Sequence, residues 1–388
     1  MLLNLSYKLI KIIIINIIIL FSLLYFVEVI INLKNNSLLK KTKYRHLQEL
    51  SKINEVDFAF NYLPYKNLSK KKLEILPLSG YENTWTLMCL DEKVPIYFKS
   101  DENGFNNQYK NINNEVLLIG DSFVQGMCVK NNFNLSGQLK KLNIRNQSIG
   151  IGGNGPLFTL ATLKEYGNFY KHNHLIYVIT PDNDFADLSR EINNPTLMKY
   201  LESKDFTQNL MKKKKNKKKI IDNFFDIRVR HYREILRYYH LDLHNIRAFI
   251  KNLKYQDINN NLDEIYQYLN DKKIDNIFLD IIDEIISIEE KSGNKVSVVF
   301  NIVNPDIVYK DGAAKFNLKD KYFEKINLIK IYLNKKNINY FDFNEYVYKK
   351  YNENNIDEIS HYNNKTWDHY SAYGYEVLAY NIKEELIK

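Results

Sequence analysis

"LIGDSFVQG", Leu118 to Gly126, closes a short apolar run, "EVLLIG" (Glu115 to Gly120), on the triplet Gly-Asp-Ser. A brief apolar stretch ending in a turn reads as a strand covered on both faces, as in a parallel sheet. In an open parallel sheet, ligands collect beyond the carboxyl ends of the strands. Ser122 therefore stands where reacting groups gather. The stretch is not a Gly-x-Ser-x-Gly elbow, because Val124 stands two residues after the serine. It also lacks the Gly-Lys-Ser/Thr ending of a phosphate loop. Taken alone, such a serine more often caps the helix that follows it.

Working outward, an α/β rhythm appears. "NFNLSGQLKKL" has helical spacing, "NQSIG" is a second and weaker strand, and Pro156 opens a helix through "PLFTLATLKEYGNFY". "HLIYVIT" (His174 to Thr180), "KVSVVFNIV" (Lys295 to Val303) and "INYFDF" (Ile338 to Phe343) supply three more strands. Strands alternating with helices predict a parallel sheet with helices on both faces. Between the third and fourth strands, Glu191 to Asn294 shows no strand signal but a helical period at Ile274, Phe278, Ile281, Ile282 and Ile285. It reads as a helical insertion or lid.

"SIGIGGNGP" (Ser148 to Pro156) contains a formal G-x-G-x-x-G at Gly150, Gly152 and Gly155, and Asp182 ends the next strand. A dinucleotide loop, however, follows the first strand of its sheet, a position already held by Gly-Asp-Ser. The other use of such glycines is backbone N–H donation to a developing oxyanion. "YVITPDNDFADL" sets Asn183 and Asp184 just past the third strand, where an amide can aim at the same crevice; alone it reads as an Asx-turn. "TWDHYSAYGYEVLAYNIKEEL" sets Asp368 and His369 before a last helix, a suitable place for a general base.

The chain has 388 residues, 45% hydrophobic and 26% charged, which allows one large domain or two ordinary ones. The net charge of +9 does not argue for nucleic acid, because much of it sits in one run, "KKKKNKKK" (Lys212 to Lys219), with no aromatic interleaving. That run reads as a solvated loop between helices, its functional alternative being a surface for anionic head groups or glycans. Two cysteines, Cys89 and Cys128, are too few for a disulfide framework. Ile12 to Ile31 is long and apolar enough to span a bilayer and has no small-x-small cleavage site. Lys8 and Lys11 precede it, but Lys34, Lys40, Lys41, Lys43 and Arg45 follow, so the positive-inside count puts the globular part in the cytoplasm.

The order Gly-Asp-Ser, Gly-rich turn, Asn-Asp and terminal Asp/His, each at a strand end, resembles the SGNH or GDSL hydrolase superfamily. The likeness runs from Glu115 to the C-terminus apart from most of the insertion. "GDSFVQGMCV", "GGNGPLFTLATLKEYG", "NDFADL" and "HYSAYGYEVLA", with "DENGFNN" (Asp101 to Asn107) ahead of the first strand, look like a membrane-anchored branch of it. The resemblance implies a three-layer α/β/α domain with a mostly parallel, flavodoxin-like sheet. The expected division is a membrane anchor over 1–34, a stalk and irregular lead-in over 35–110, and the α/β domain over 111–388 with its insertion at about 191–294.

By the same likeness Ser122 is the nucleophile, His369 the base and Asp368 a candidate to orient it. Backbone N–H groups of Ser122 and Gly153 and the side chain of Asn183 form the oxyanion hole. Two departures stand out: Pro181 holds the place of a family Gly, and Thr366 holds the place of the family's orienting Asp. No cofactor or metal is implied. The implied partners are the lipid bilayer, through residues 12–31, and an O-acylated, above all O-acetylated, glycan or lipid outside the cytoplasm. An O-acyltransferase using the same site, a catalytically silent glycan-binding fold and, last, a dehydrogenase are the alternatives.

Overall fold

The computed structural model of the chain describes residues 2–35, 38–54, 57–67, 73–91, 94–107, 114–236, 267–302, 319–350, 360–363 and 366–387. The chain divides into two units, Met1–Glu49 with Phe224–Ile265, and Leu50–Asn223 with Tyr266–Lys388. In the first, helix α1 (Leu2–Asn35) contains Lys11–Ile30, long and apolar enough to cross a membrane. Its large side chains lie exposed, Ile18 at 58% and Phe21 at 61%, unlike those of a core helix. Helix α2 (Leu38–Asn54) follows.

The second unit begins with a small sheet where the sequence predicts a stalk and irregular lead-in. Strands β1 (Phe58–Phe60), β2 (Trp85–Asp91) and β3 (Val94–Lys99) pair in that order, β1 parallel and β3 antiparallel to β2. Prolines suggest irregular chain in this segment, yet Pro95 sits on an edge strand, where a missing N–H is tolerated. Phe58 stacks on Trp85, and Tyr97 meets both rings edge-on. Cys89 on β2 is disulfide-bonded to Cys128, so two cysteines too few for a framework still make one cross-link.

The main sheet has the order β5-β4-β6-β7-β8, every pair parallel. Its strands are β4 (Val116–Ile119), β5 (Asn146–Ser148), β6 (His174–Ile179), β7 (Lys295–Phe300) and β8 (Asn339–Asp342). All residues of β4 and β6 are buried, which is why they read as unbroken apolar runs. After β4 come α3 (Ser122–Gln125) and α4 (Leu135–Lys141); after β5, α5 (Pro156–Tyr166); and after β6, α6 (Pro181–Glu191) and α7 (Pro195–Glu202).

The lysine run is not a loop. Helix α8 (Lys214–Leu236) starts within it, and Lys217 is buried, its ammonium bound to Glu82, Ser79 Oγ and the Asn103 carbonyl. Burial lowers the Lys217 pKa, and Glu82 opposes that shift. After α9 (Gln267–Asn270), helix α10 (Lys272–Lys291) buries Ile274, Phe278, Ile281, Ile282 and Ile285. It packs on α5, α6 and β7, and so forms part of the layer covering the sheet rather than a lid. The rest is α11 (Lys319–Lys335), α12 (Phe343–Lys350), the antiparallel ribbon β9 (Ser360–Asn363) and β10 (Thr366–Tyr370), and α13 (Ala372–Ile382). The opposite face of the sheet is closed by a cluster containing Leu135, Leu139, Val347, Tyr375, Leu378 and Ile382 from α4, α12 and α13. The fold is thus α/β with a parallel central sheet between two helical layers.

Candidate active site

Ser122 opens α3 directly beyond the carboxyl end of β4. Asp121 caps this short helix by accepting the Phe123 N–H at 2.9 Å, and Gly126, with φ +77°, ends it. Ser122 is largely buried at 7% exposure, yet it lines an open pocket of about 400 Å³. His369 lies on β10 rather than in a loop, and its Nε2 is 2.8 Å from Ser122 Oγ. Two buried tyrosines brace this approach. Tyr370 donates its hydroxyl hydrogen to Asn301 Oδ1 and accepts the Ile302 N–H just past β7, while Tyr375 donates to the Phe123 carbonyl. The Phe123 ring backs the imidazole, with centroids 5.0 Å apart. Asp368 lies on β10; its side chain falls outside the described residues.

The glycine turn reaches the same pocket through Gly152 and Gly153. Its spacing is explained by close packing rather than by a pyrophosphate. A Cβ at Gly150 would meet Val124 at 2.6 Å, one at Gly152 would meet Met127 at 2.9 Å, and one at Gly155 would meet Asp187 at 2.6 Å. Gly153 has φ +75°, and a Cβ there would lie 2.4 Å from the Tyr65 ring. The Gly152 N–H donates to Gln125 Oε1 at 2.9 Å, whereas the Gly153 N–H has no acceptor among the described residues. Gly153→Ala is expected to cost about 1–3 kcal/mol of stability, read as a drop in denaturation midpoint. Tyr65→Ala in the same chain should restore only the part due to crowding, because the left-handed backbone remains. A midpoint equal to wild type would refute a left-handed Gly153.

Asn183 is not in a loop beyond the strand but in the first turn of α6. Pro181 takes the first helical position, where its missing N–H leaves no hydrogen bond unmade. Asn183 Nδ2 donates to Asp121 Oδ2 at 2.9 Å and also lines the pocket. Burial raises the Asp121 pKa, opposed by the hydrogen bonds from Asn183 and Phe123 and by His369. Asp184 accepts the Thr180 N–H at 2.7 Å and is raised well above the ordinary carboxylate range, first by burial and then by Asp121.

Several supporting residues carried no sequence signal. Gln125 exchanges two amide hydrogen bonds with Asn61, at 3.1 and 3.2 Å, while holding the Gly152 N–H. Glu191 accepts the Gly155 N–H at 2.6 Å and the Leu157 N–H at 2.9 Å, fixing the start of α5. Leu63 and Tyr65 wall the pocket from the lead-in, and Arg190 pairs with Asp187 at its rim. An alternation of apolar and polar residues signals one helix or strand; it gives no sign of a buried pair joining segments 64 residues apart.

No protein-family model matches the sequence, and no curated protein does. Among solved structures, one from Desulfitobacterium hafniense DCB-2, named as a lipolytic protein of the G-D-S-L family on provisional grounds, aligns with 71% of this chain and 100% of its own. The identity is 11% and the TM-score 0.36.

Proposed function

We propose that this chain is a membrane-tethered serine esterase that removes O-acyl, above all O-acetyl, groups from a glycan or lipid. The observation that carries the proposal is the 2.8 Å separation of His369 Nε2 from Ser122 Oγ, at an open pocket that Gly153 and Asn183 also line. His369 takes the Ser122 proton as Oγ attacks the ester carbonyl carbon. The oxyanion that forms meets the Ser122 and Gly153 N–H groups and the Asn183 N–H not engaged by Asp121. Collapse expels the alcohol, which receives the proton from His369. Water, activated by the same imidazole, then releases the acid.

Asp121 acts as a positioning residue, since its hydrogen bond fixes the Asn183 amide while its own cap holds the serine helix. The exposed apolar face of Lys11–Ile30 supports the tether. The Cys89–Cys128 disulfide supports an oxidising, extracytoplasmic setting for the α/β unit, against the lysine count around the span. A fluorophosphonate probe should label the full chain in detergent, with labelling abolished in Ser122→Ala and p-nitrophenyl acetate turnover lost with it. Wild-type protein that neither labels nor turns over ester would overturn the proposal.

A further inference from the structure

A second cleft, of about 290 Å³, lies between α13 and α4, at the margin where the buried face of α13 meets its exposed one. Tyr375, Leu378 and Ile382 turn α13 into the core, whereas Tyr373, Glu376 and Tyr380 form one exposed stripe at the spacing of i, i+3 and i+7, with buried Val377 at its inner edge. Tyr373 is 44% exposed and Tyr380 55%. Two large rings thus stand on one stripe and line one cleft. Seven residues of helix separate them, which is roughly 10 Å along the axis and about the length of a disaccharide.

The rest of the cleft complements a sugar chain. Leu142, Tyr346 and Val377 are apolar contacts, and Gln138, Lys141 and Glu376 supply polar groups. Gln138 is held in place, its Nε2 donating to the Ala372 carbonyl and its Oε1 accepting from Lys141 at 3.1 Å. One cation and one anion, Lys141 and Glu376, leave the lining without net charge. A polyanion would gain little there and would meet Glu376, while an acyl chain would cover the charged groups of Lys141 and Glu376 at a desolvation cost. Aromatic rings beside polar groups suit the face of a pyranose, whose C–H groups stack while its hydroxyls bond at the edge.

We infer that this cleft is a binding site for a neutral glycan chain, stacked on Tyr373 and Tyr380. Because α13 begins at Ala372, three residues after His369, a polymer seated there lies on the helix that directly follows the strand carrying the base. That service to catalysis rests on the esterase reading; the binding does not.

Saturation-transfer NMR on the full chain in detergent micelles tests it, with chitotetraose and cellotetraose as probes and tetragalacturonate as the anionic control. At least one neutral tetrasaccharide should receive saturation and the anionic one should not. Tyr373→Ala and Tyr380→Ala should each weaken binding about tenfold, with p-nitrophenyl acetate turnover held within about twofold of wild type, as for surface changes. Absence of transfer to both neutral sugars, or transfer that survives both substitutions, overturns the inference. So does transfer that a fluorophosphonate at Ser122 abolishes, because the sugar would then occupy the catalytic pocket. Sugar binding in a protein without ester turnover keeps the cleft and removes only the esterase.

Discussion

His369→Ala is expected to lower kcat for p-nitrophenyl acetate by about 10²- to 10⁴-fold, the range for loss of a positioned general base. KM should change far less, since the pocket walls formed by Leu63, Tyr65 and Met127 are untouched. The imidazole is held from three sides: the 2.8 Å contact to Ser122, the Phe123 ring behind it and the hydrogen bonds of neighbouring Tyr370. Truncation to alanine leaves a ring-sized space beside Ser122 Oγ, so added imidazole should restore part of the lost rate. A variant that keeps more than about a tenth of wild-type kcat falls outside the loss expected of a catalytic base and would show that another group takes the serine proton. A variant that loses activity without responding to imidazole would instead point to a collapsed site, which a denaturation curve would reveal.

Glu191→Ala should be the most damaging of the supporting substitutions for stability. It leaves the Gly155 and Leu157 amides without their buried acceptor, and each unmet group costs about 1–3 kcal/mol. A total of about 2–6 kcal/mol is a large part of the stability of an ordinary domain. Burial, reinforced by Asp187, pushes the Glu191 carboxyl up to about 8 from an ordinary 4.5, against the opposing backbone N–H bonds. Burial likewise takes Asp187 up to about 7, opposed by Arg190. The fold therefore holds a proton on Glu191 that the unfolded chain has already released. The stability linked to that proton is fully present below pH about 4.5 and is lost as pH rises to about 8. Urea unfolding of the full chain should thus show lower stability at pH 8 than at pH 5, with a flatter dependence in Glu191→Gln, which cannot titrate and keeps one acceptor. Equal slopes in the two proteins would mean that Glu191 is ionised throughout.

The parallel α/β layers were legible because burial on both faces writes itself into "EVLLIG", "HLIYVIT" and "KVSVVF" as unbroken apolar runs. The meeting of Ser122 and His369, 247 positions apart, was expected only from the order of the motifs and the resemblance they carry; parallel-sheet topology accounts for Ser122, at the end of β4, but not for His369, which comes from the antiparallel ribbon β9–β10. The lead-in sheet was hidden by Pro64, Pro77 and Pro95, which locally argue for irregular chain although one of them sits harmlessly on an edge strand. Lys217 was hidden by its neighbours, because in a run of lysines nothing marks the one that turns inward to Glu82. Asn183 reads as a loop residue because an Asn two residues after proline looks like a turn; the same proline equally begins a helix.

The amide pair between Asn61 and Gln125 has a consequence for how such a protein can be inherited. Gln125 follows Ser122 by three positions, yet its partner belongs to chain preceding the whole parallel sheet. A recombination event that carried the Gly-Asp-Ser core to a new gene without the strands before it would leave that amide stranded against the glycine turn and strip Leu63 and Tyr65 from the pocket wall. The heritable module therefore begins upstream of the first strand of the parallel sheet, and the lead-in and the core must travel and diverge together.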